Sequence, residues 1–115
     1  MSIPKPPADL KAPGRKLWRS VLEGFDLDQH ELTLLRETCR TADVCDGLQR
    51  QVDADGIMSS SSQGSRVHPA LVELRQQRIA LARMFAALRV PTGEDADGRL
   101  QARPTRGVYG IRAAV

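Results

Sequence analysis

Aromatic side chains are scarce in this chain of 115 residues: Trp18, Phe25, Phe85 and Tyr109 are the whole set. The remaining apolar content is mainly Leu, Ala and Val, a mix that suits helices with aliphatic seams better than a sheet sandwich. Cysteine is almost as rare. Cys39 and Cys45 stand six apart. On a helix each residue turns by about 100°, so the two thiols fall on different faces and cannot form a local disulfide. No further Cys or paired His stands near enough to complete a zinc site, which leaves both thiols as small buried hydrophobes. No apolar run approaches the roughly 20 residues that cross a bilayer. The opening Met1-Ser2-Ile3-Pro4-Lys5-Pro6-Pro7 has no apolar signal-peptide core. A cytoplasmic protein with no membrane contact is expected.

Catalytic groups are lacking too. The two histidines, His30 and His68, open separate helical stretches. No nucleophile elbow or Ser/His/Asp arrangement stands in a recognisable context. Gly14-Arg15-Lys16 is not a phosphate loop, because the leading glycine pattern and the preceding strand are missing. Acidic pairs such as Asp53/Asp55 and Asp95/Asp97 are spaced by two and diverge on a helix. The expectation is no enzyme, no cofactor and no metal. A chain this short makes one domain with a modest core, which makes association with copies of itself plausible.

What is present is an uneven charge. The net charge is +3. Residues 1–20 carry five basic side chains against Asp9, residues 21–88 carry seven against ten acids, and residues 89–115 carry five against three. Both ends are basic and the middle is acidic. Basic flanks suit a polyanion, and an acidic middle does not. The same charges also serve solubility.

Four prolines at positions 4, 6, 7 and 13 predict an extended, flexible basic arm over residues 1–13. Helical spacing of Leu17, Trp18, Val21 and Leu22 predicts a short helix from Gly14 to Glu23, with Arg15, Lys16 and Arg19 on its other side and Gly24 as a left-handed stop. Asp28 followed by Glu31 reads as a capping-box start. From there Leu32, Leu35, Cys39, Ala42, Cys45, Leu48 and Val52 trace a seam as far as Asp55-Gly56. Residues 57–67, with Ser59 to Ser62 at their centre, read as a flexible connection; Ile57-Met58 and Arg66-Val67 are candidates for two short strands. His68-Pro69 opens a third helix, with Leu71, Leu74, Arg78, Leu81, Phe85 and Leu88 as its seam and Pro91 as its limit. Leu34, Val44 and Ile79 lie off the seams and leave apolar surface for a neighbour. The glycine- and proline-punctuated residues 91–115 read as a flexible basic tail.

The expected architecture is therefore all-α: a short N-terminal helix and a long antiparallel helical hairpin within residues 14–90, flanked by the basic arm and tail. The residues expected to contact nucleic acid are Lys5, Lys11, Arg15, Lys16 and Arg19 at one end and Arg99, Arg103, Arg106 and Arg112 at the other. Such contacts are phosphate contacts, salt-sensitive and weakly selective. A helix-turn-helix is not indicated, since the second helix is too long for that pattern.

A specific order of elements accompanies this pattern. It runs from the proline-rich start through Gly14-Arg15-Lys16-Leu17-Trp18, Leu27, Glu31-Leu32, Leu35-Arg36-Glu37, Cys39 and Asp43 to Gly56. It continues with a polar loop, His68-Pro69-Ala70-Leu71, and Ala87-Leu88-Arg89-Val90 followed by a proline. Over about residues 4–92 this resembles the small terminase subunits of tailed bacteriophages, of the His-Pro motif type. The resemblance implies a non-catalytic homo-oligomeric ring in the bacterial host cell. Such a ring binds double-stranded viral DNA and delivers it to a large terminase subunit, which holds the ATPase and nuclease. The segment after the third helix is brief, and the helix closes Leu88-Arg89-Val90 where the family has Leu-Gly-Leu. A helical protein-binding adaptor without DNA contact and a small DNA-binding transcriptional regulator are the alternatives.

Overall fold

A computed structural model describes residues 3–61 and 63–89. Three helices and one small hairpin follow in chain order: α1 (Ala12–Gly24), α2 (Gln29–Asp55), β1 (Met58–Ser61), β2 (Gly64–Val67) and α3 (Pro69–Leu88). The chain is thus mostly helical, and the expected all-α architecture needs one correction. The polar connection between α2 and α3 is an antiparallel strand pair, with Met58 opposite Val67 and Ser60 opposite Ser65. Ser59, Ser60 and Ser61, expected within a loop, lie in β1 and pair with Arg66, Ser65 and Gly64 of β2. Gly56 (φ 89°) and Gly64 (φ 110°) supply the left-handed turns that enter and close this hairpin. The expected tail over 91–115 lies outside the described residues.

Helices α2 and α3 pack side by side and antiparallel, and three cross-links mark successive levels. Thr41 Oγ1 meets Met84 Sδ at 3.7 Å. The Arg78 guanidinium donates to Gln49 Oε1 at 2.7 Å. His68 Nε2 lies 2.9 Å from Asp55 Oδ2 at the far end. Leu35, Cys39, Cys45 and Val52 of the anticipated α2 seam are buried, as are Leu74 and Leu88 of α3. Thr38 and Thr41 are buried as well, and the α2 seam as read from sequence omits both. Their hydroxyls donate back to the carbonyls of Leu34 and Glu37 at 2.8 and 2.9 Å, so neither polar group is orphaned.

Helix α1 covers only the end of the hairpin near the α2 N-terminus. Trp18, Val21 and Leu22 join Leu35, Cys39 and Leu88 in the main core. The residues expected to form a flexible arm take part in it. Leu10 is buried there and Ile3 packs against it. The Trp18 indole donates to the Pro4 carbonyl at 2.9 Å, and Asp9 pairs with Arg40 of α2 at 2.8 Å. Proline forecast the extended backbone, and the apolar Ile3 and Leu10 seat it.

Two helix ends depart from the sequence reading. Gly24 is the last residue of α1 and is not left-handed; Phe25 (φ −140°) simply turns extended. Arg89 closes α3 in the left-handed conformation (φ 60°, ψ 34°), a region that favours glycine. A side chain in that region costs about 1–2 kcal/mol.

The α1 N-terminus is the tightest joint. It has no acidic residue in its first turn and no side-chain cap of its own. Asp43 of α2 supplies both functions, accepting from Lys11 N–H at 2.8 Å and from Gly14 N–H at 2.7 Å. A Cβ on Gly14 would stand 2.6 Å from Asp43 Oδ2 and 2.9 Å from the Cys39 carbonyl oxygen.

Gly14→Ala is therefore expected to cost about 1–3 kcal/mol in urea unfolding, although alanine is the better helix former. Arg89→Gly is expected to raise stability by about 1 kcal/mol in the same measurement, because it removes the left-handed strain.

Candidate nucleic-acid interface

The geometry of α1 divides its side chains sharply. Trp18, Val21 and Leu22 are buried inward, and this orients Ala12, Arg15, Lys16, Arg19, Ser20 and Glu23 to the opposite side. These six line a shallow, open depression along the exposed face of the helix. The structure thus brings together three of the residues expected to touch DNA: Arg15, Lys16 and Arg19. Lys5 and Lys11 are exposed on the seated arm, with Lys11 directly preceding the helix. Arg99, Arg103, Arg106 and Arg112 lie outside the described residues.

The cations differ in how far they are already engaged. Arg15 donates to the Leu10 carbonyl and so also ties the arm to α1. Among the described residues, the side chains of Lys16 and Arg19 have no ion pair or hydrogen bond. In contrast, Arg40 is held by Asp9 and Glu37 at 2.8 and 2.7 Å, and Arg50 by Asp46 at 2.9 Å. Arg89 stands 4.0 Å from Glu31. Arg40 and Arg50 of α2 are thus paired within the chain, while Lys16 and Arg19 face solvent with Glu23 as the one acid in their depression. The amides of Lys11 and Gly14 are taken by Asp43, so an anion on this face meets side-chain cations and not those helix-end amides.

Groups capable of chemistry have structural occupations. His68 caps α3: its Nδ1 accepts from Ala70 N–H at 3.0 Å. That bond requires a lone pair on Nδ1, so Nε2 carries the proton given to Asp55 at 2.9 Å. The His68 amide also donates to the Ile57 carbonyl at 2.6 Å, which ties the base of the β1–β2 hairpin to both long helices. Cys39 and Cys45 are free and buried, and Cys39 belongs to the core that α1 helps to close. Burial, reinforced by the nearby Asp43 carboxylate, pushes the Cys39 thiol up to about 12. Burial also raises the Cys45 thiol, and a thiol protonated at neutral pH is a poor nucleophile.

One cluster escaped the sequence reading: Asp28, His30 and Glu31 place potential ligand atoms within 4.8 Å of one another. Helix capping accounts for part of it, since Glu31 accepts the Asp28 N–H at 2.7 Å. The partnership of Asp43 with the α1 amides was also missed, because residues 29 and 32 positions apart share no periodic signal. Among the described residues no helix is long and apolar enough to cross a membrane. Compared with known protein families, curated proteins and solved structures, the chain matches none.

The hydrogen bond from His68, followed by that from Gln51, holds the Asp55 carboxyl below the usual carboxylate range. A depressed carboxylate contributes stability above its unfolded value, about 3.9, and loses it as pH falls through the lower folded value. The melting temperature is expected to drop below about pH 4, and less steeply in Asp55→Asn. Parallel profiles for the two proteins would contradict this.

Proposed function

We propose that this chain is a non-catalytic adaptor of viral genome packaging, of the small terminase type. It assembles with copies of itself into a ring in the host cytoplasm and grips double-stranded DNA. It supports a large subunit that carries the ATPase and nuclease. The observation that carries the DNA side is the row of Arg15, Lys16 and Arg19 on the exposed face of α1, with Lys16 and Arg19 free of partners among the described residues. A row of this kind touches phosphates and reads no base edges. Each copy offers only a few contacts, and a ring repeats them, so affinity accumulates through multivalency. Arg99, Arg103, Arg106 and Arg112 add further cations to each copy.

Fluorescence anisotropy with a duplex of mixed sequence tests this. Binding should weaken steeply with salt, with little preference among sequences. Each phosphate contact contributes about 0.9 to the slope of log K against log salt, so Lys16→Ala with Arg19→Ala should lower the slope by about two per copy engaged. No binding at low salt would leave the protein-binding adaptor as the reading. A strong preference for one two-fold symmetric site would favour the transcriptional regulator.

A further inference from the structure

Among the described residues, Arg15 is the one cation of the α1 face with a hydrogen bond inside the chain, and its partner belongs to the arm. Arg15 and Trp18 stand three residues apart and share a flank of the helix. The arm runs along this flank and offers a carbonyl to each of them. Pro4 accepts from the Trp18 indole at 2.9 Å, and Leu10 accepts from the Arg15 guanidinium. The arm is held by more than these two bonds. Leu10 is buried in the main core, its amide donates to the Pro7 carbonyl at 3.2 Å, and Asp9 pairs with Arg40 of α2 at 2.8 Å. The Leu10 side chain therefore fixes its own carbonyl, and the carbonyl in turn fixes the arginine.

This bond restricts Arg15 without consuming it. A guanidinium carries several N–H donors in a rigid fork, and one carbonyl leaves most of them unused. Arg15 remains exposed and lines the depression beside Lys16 and Arg19. Its unused donors can take a phosphate oxygen while the bonded one stays on Leu10. Lys16 and Arg19 must give up rotamer freedom when they meet an anion, whereas Arg15 has given up part of it on folding. Asp9 works in the same direction. It is the one acid of residues 1–13, and its pairing with Arg40 keeps that carboxylate on α2, away from the cations of α1.

We infer that Leu10 is a positioning residue of the α1 face: the seated arm holds the Arg15 guanidinium toward the depression, ready for a phosphate. Seating of the arm and grip on a phosphate then stabilise each other, since such coupling is reciprocal. This role rests on the reading of the α1 face as a duplex-binding surface and is independent of assembly.

A double-mutant cycle tests it, with the affinity for a mixed-sequence duplex read by fluorescence anisotropy at low salt. Leu10→Ala changes no charge. With its helical circular dichroism retained, it should weaken binding about two- to ten-fold per copy engaged, the effect of one long side chain no longer held in place. The same substitution in the Arg15→Ala protein should leave the affinity of that protein unchanged. Should Leu10→Ala fail to fold, Trp18→Phe serves instead, since it keeps an aromatic ring and removes the donor to Pro4. It should weaken binding in the same direction, again only while Arg15 is present. Equal losses with and without Arg15 would show the arm acting through Lys5 and Lys11, and would overturn the positioning role. A folded Leu10→Ala protein that binds as the wild type does would overturn it too, and in both cases duplex binding itself would stand. Absence of duplex binding by the wild-type protein at low salt would instead defeat the DNA reading, and the positioning role with it.

Discussion

The closed end of the molecule depends on the close approach of the α1 N-terminus to Asp43. The helix begins with cations in its first turn and no acid, although a positive helix end favours negative charge. It cannot stabilise that start by itself. The Asp43 carboxylate, delivered from α2, accepts two amides at once and places a negative charge at the positive pole. Gly14 permits this, since the space a side chain would need is filled by Asp43 and the Cys39 carbonyl. Once the joint is made, the inward face of Trp18, Val21 and Leu22 is committed, and the arm can close over it through Leu10 and Pro4. The outward orientation of Arg15, Lys16 and Arg19 follows from the same joint.

The parts of the fold that were legible in the sequence are those in which neighbours along the chain decide the outcome. The α2 and α3 seams recur every three or four residues, and Pro69 and Gly56 mark boundaries through local backbone preference. The capping pair Asp28 and Glu31 is equally local, and it stands where expected. The arm was misjudged because proline constrains its own φ and says nothing about where the segment goes. Its destination is set by burial of Leu10 and by the Trp18 indole reaching Pro4. The strand pair was only half legible. Met58 and Val67 carry some strand preference, but Ser59, Ser60 and Ser61 have little, and it is pairing with β2 that places them in a strand. Gly24 looked like a left-handed stop, yet the chain leaves the helix at Phe25 without needing one, because the half-buried Phe25 ring is drawn back onto the core.

The candidate interface was legible as a set of residue types and not as a surface. Sequence gave the same weight to every basic residue near the N-terminus. The structure separates them by occupation, with Arg15 bonded to the Leu10 carbonyl and Lys16 and Arg19 unengaged among the described residues. It also shows why the acidic middle need not repel a polyanion at this face. Several of its carboxylates are consumed inside the chain: Asp43 by amides, Glu37 by Arg40, Asp46 by Arg50 and Asp55 by His68. A carboxylate compensated at hydrogen-bond distance projects a much weaker field than a bare one, and salt screens the remainder within about 10 Å.

The segregation of charge between the two long helices links this internal economy to what the molecule presents outward. Opposite net charges on α2 and α3 favour their pairing within one chain, but the seam between them is apolar apart from Thr38 and Thr41. The charges therefore stand largely on the flanks and outer faces, where pairing within the chain does not exhaust them: Arg75 and Arg83 keep no partner among the described residues. Helix α1 occupies only the end of the hairpin that holds Cys39 and Asp43, and leaves Gly47 open. The proposed anion contact then uses a face of α1 that the packing of the hairpin leaves open.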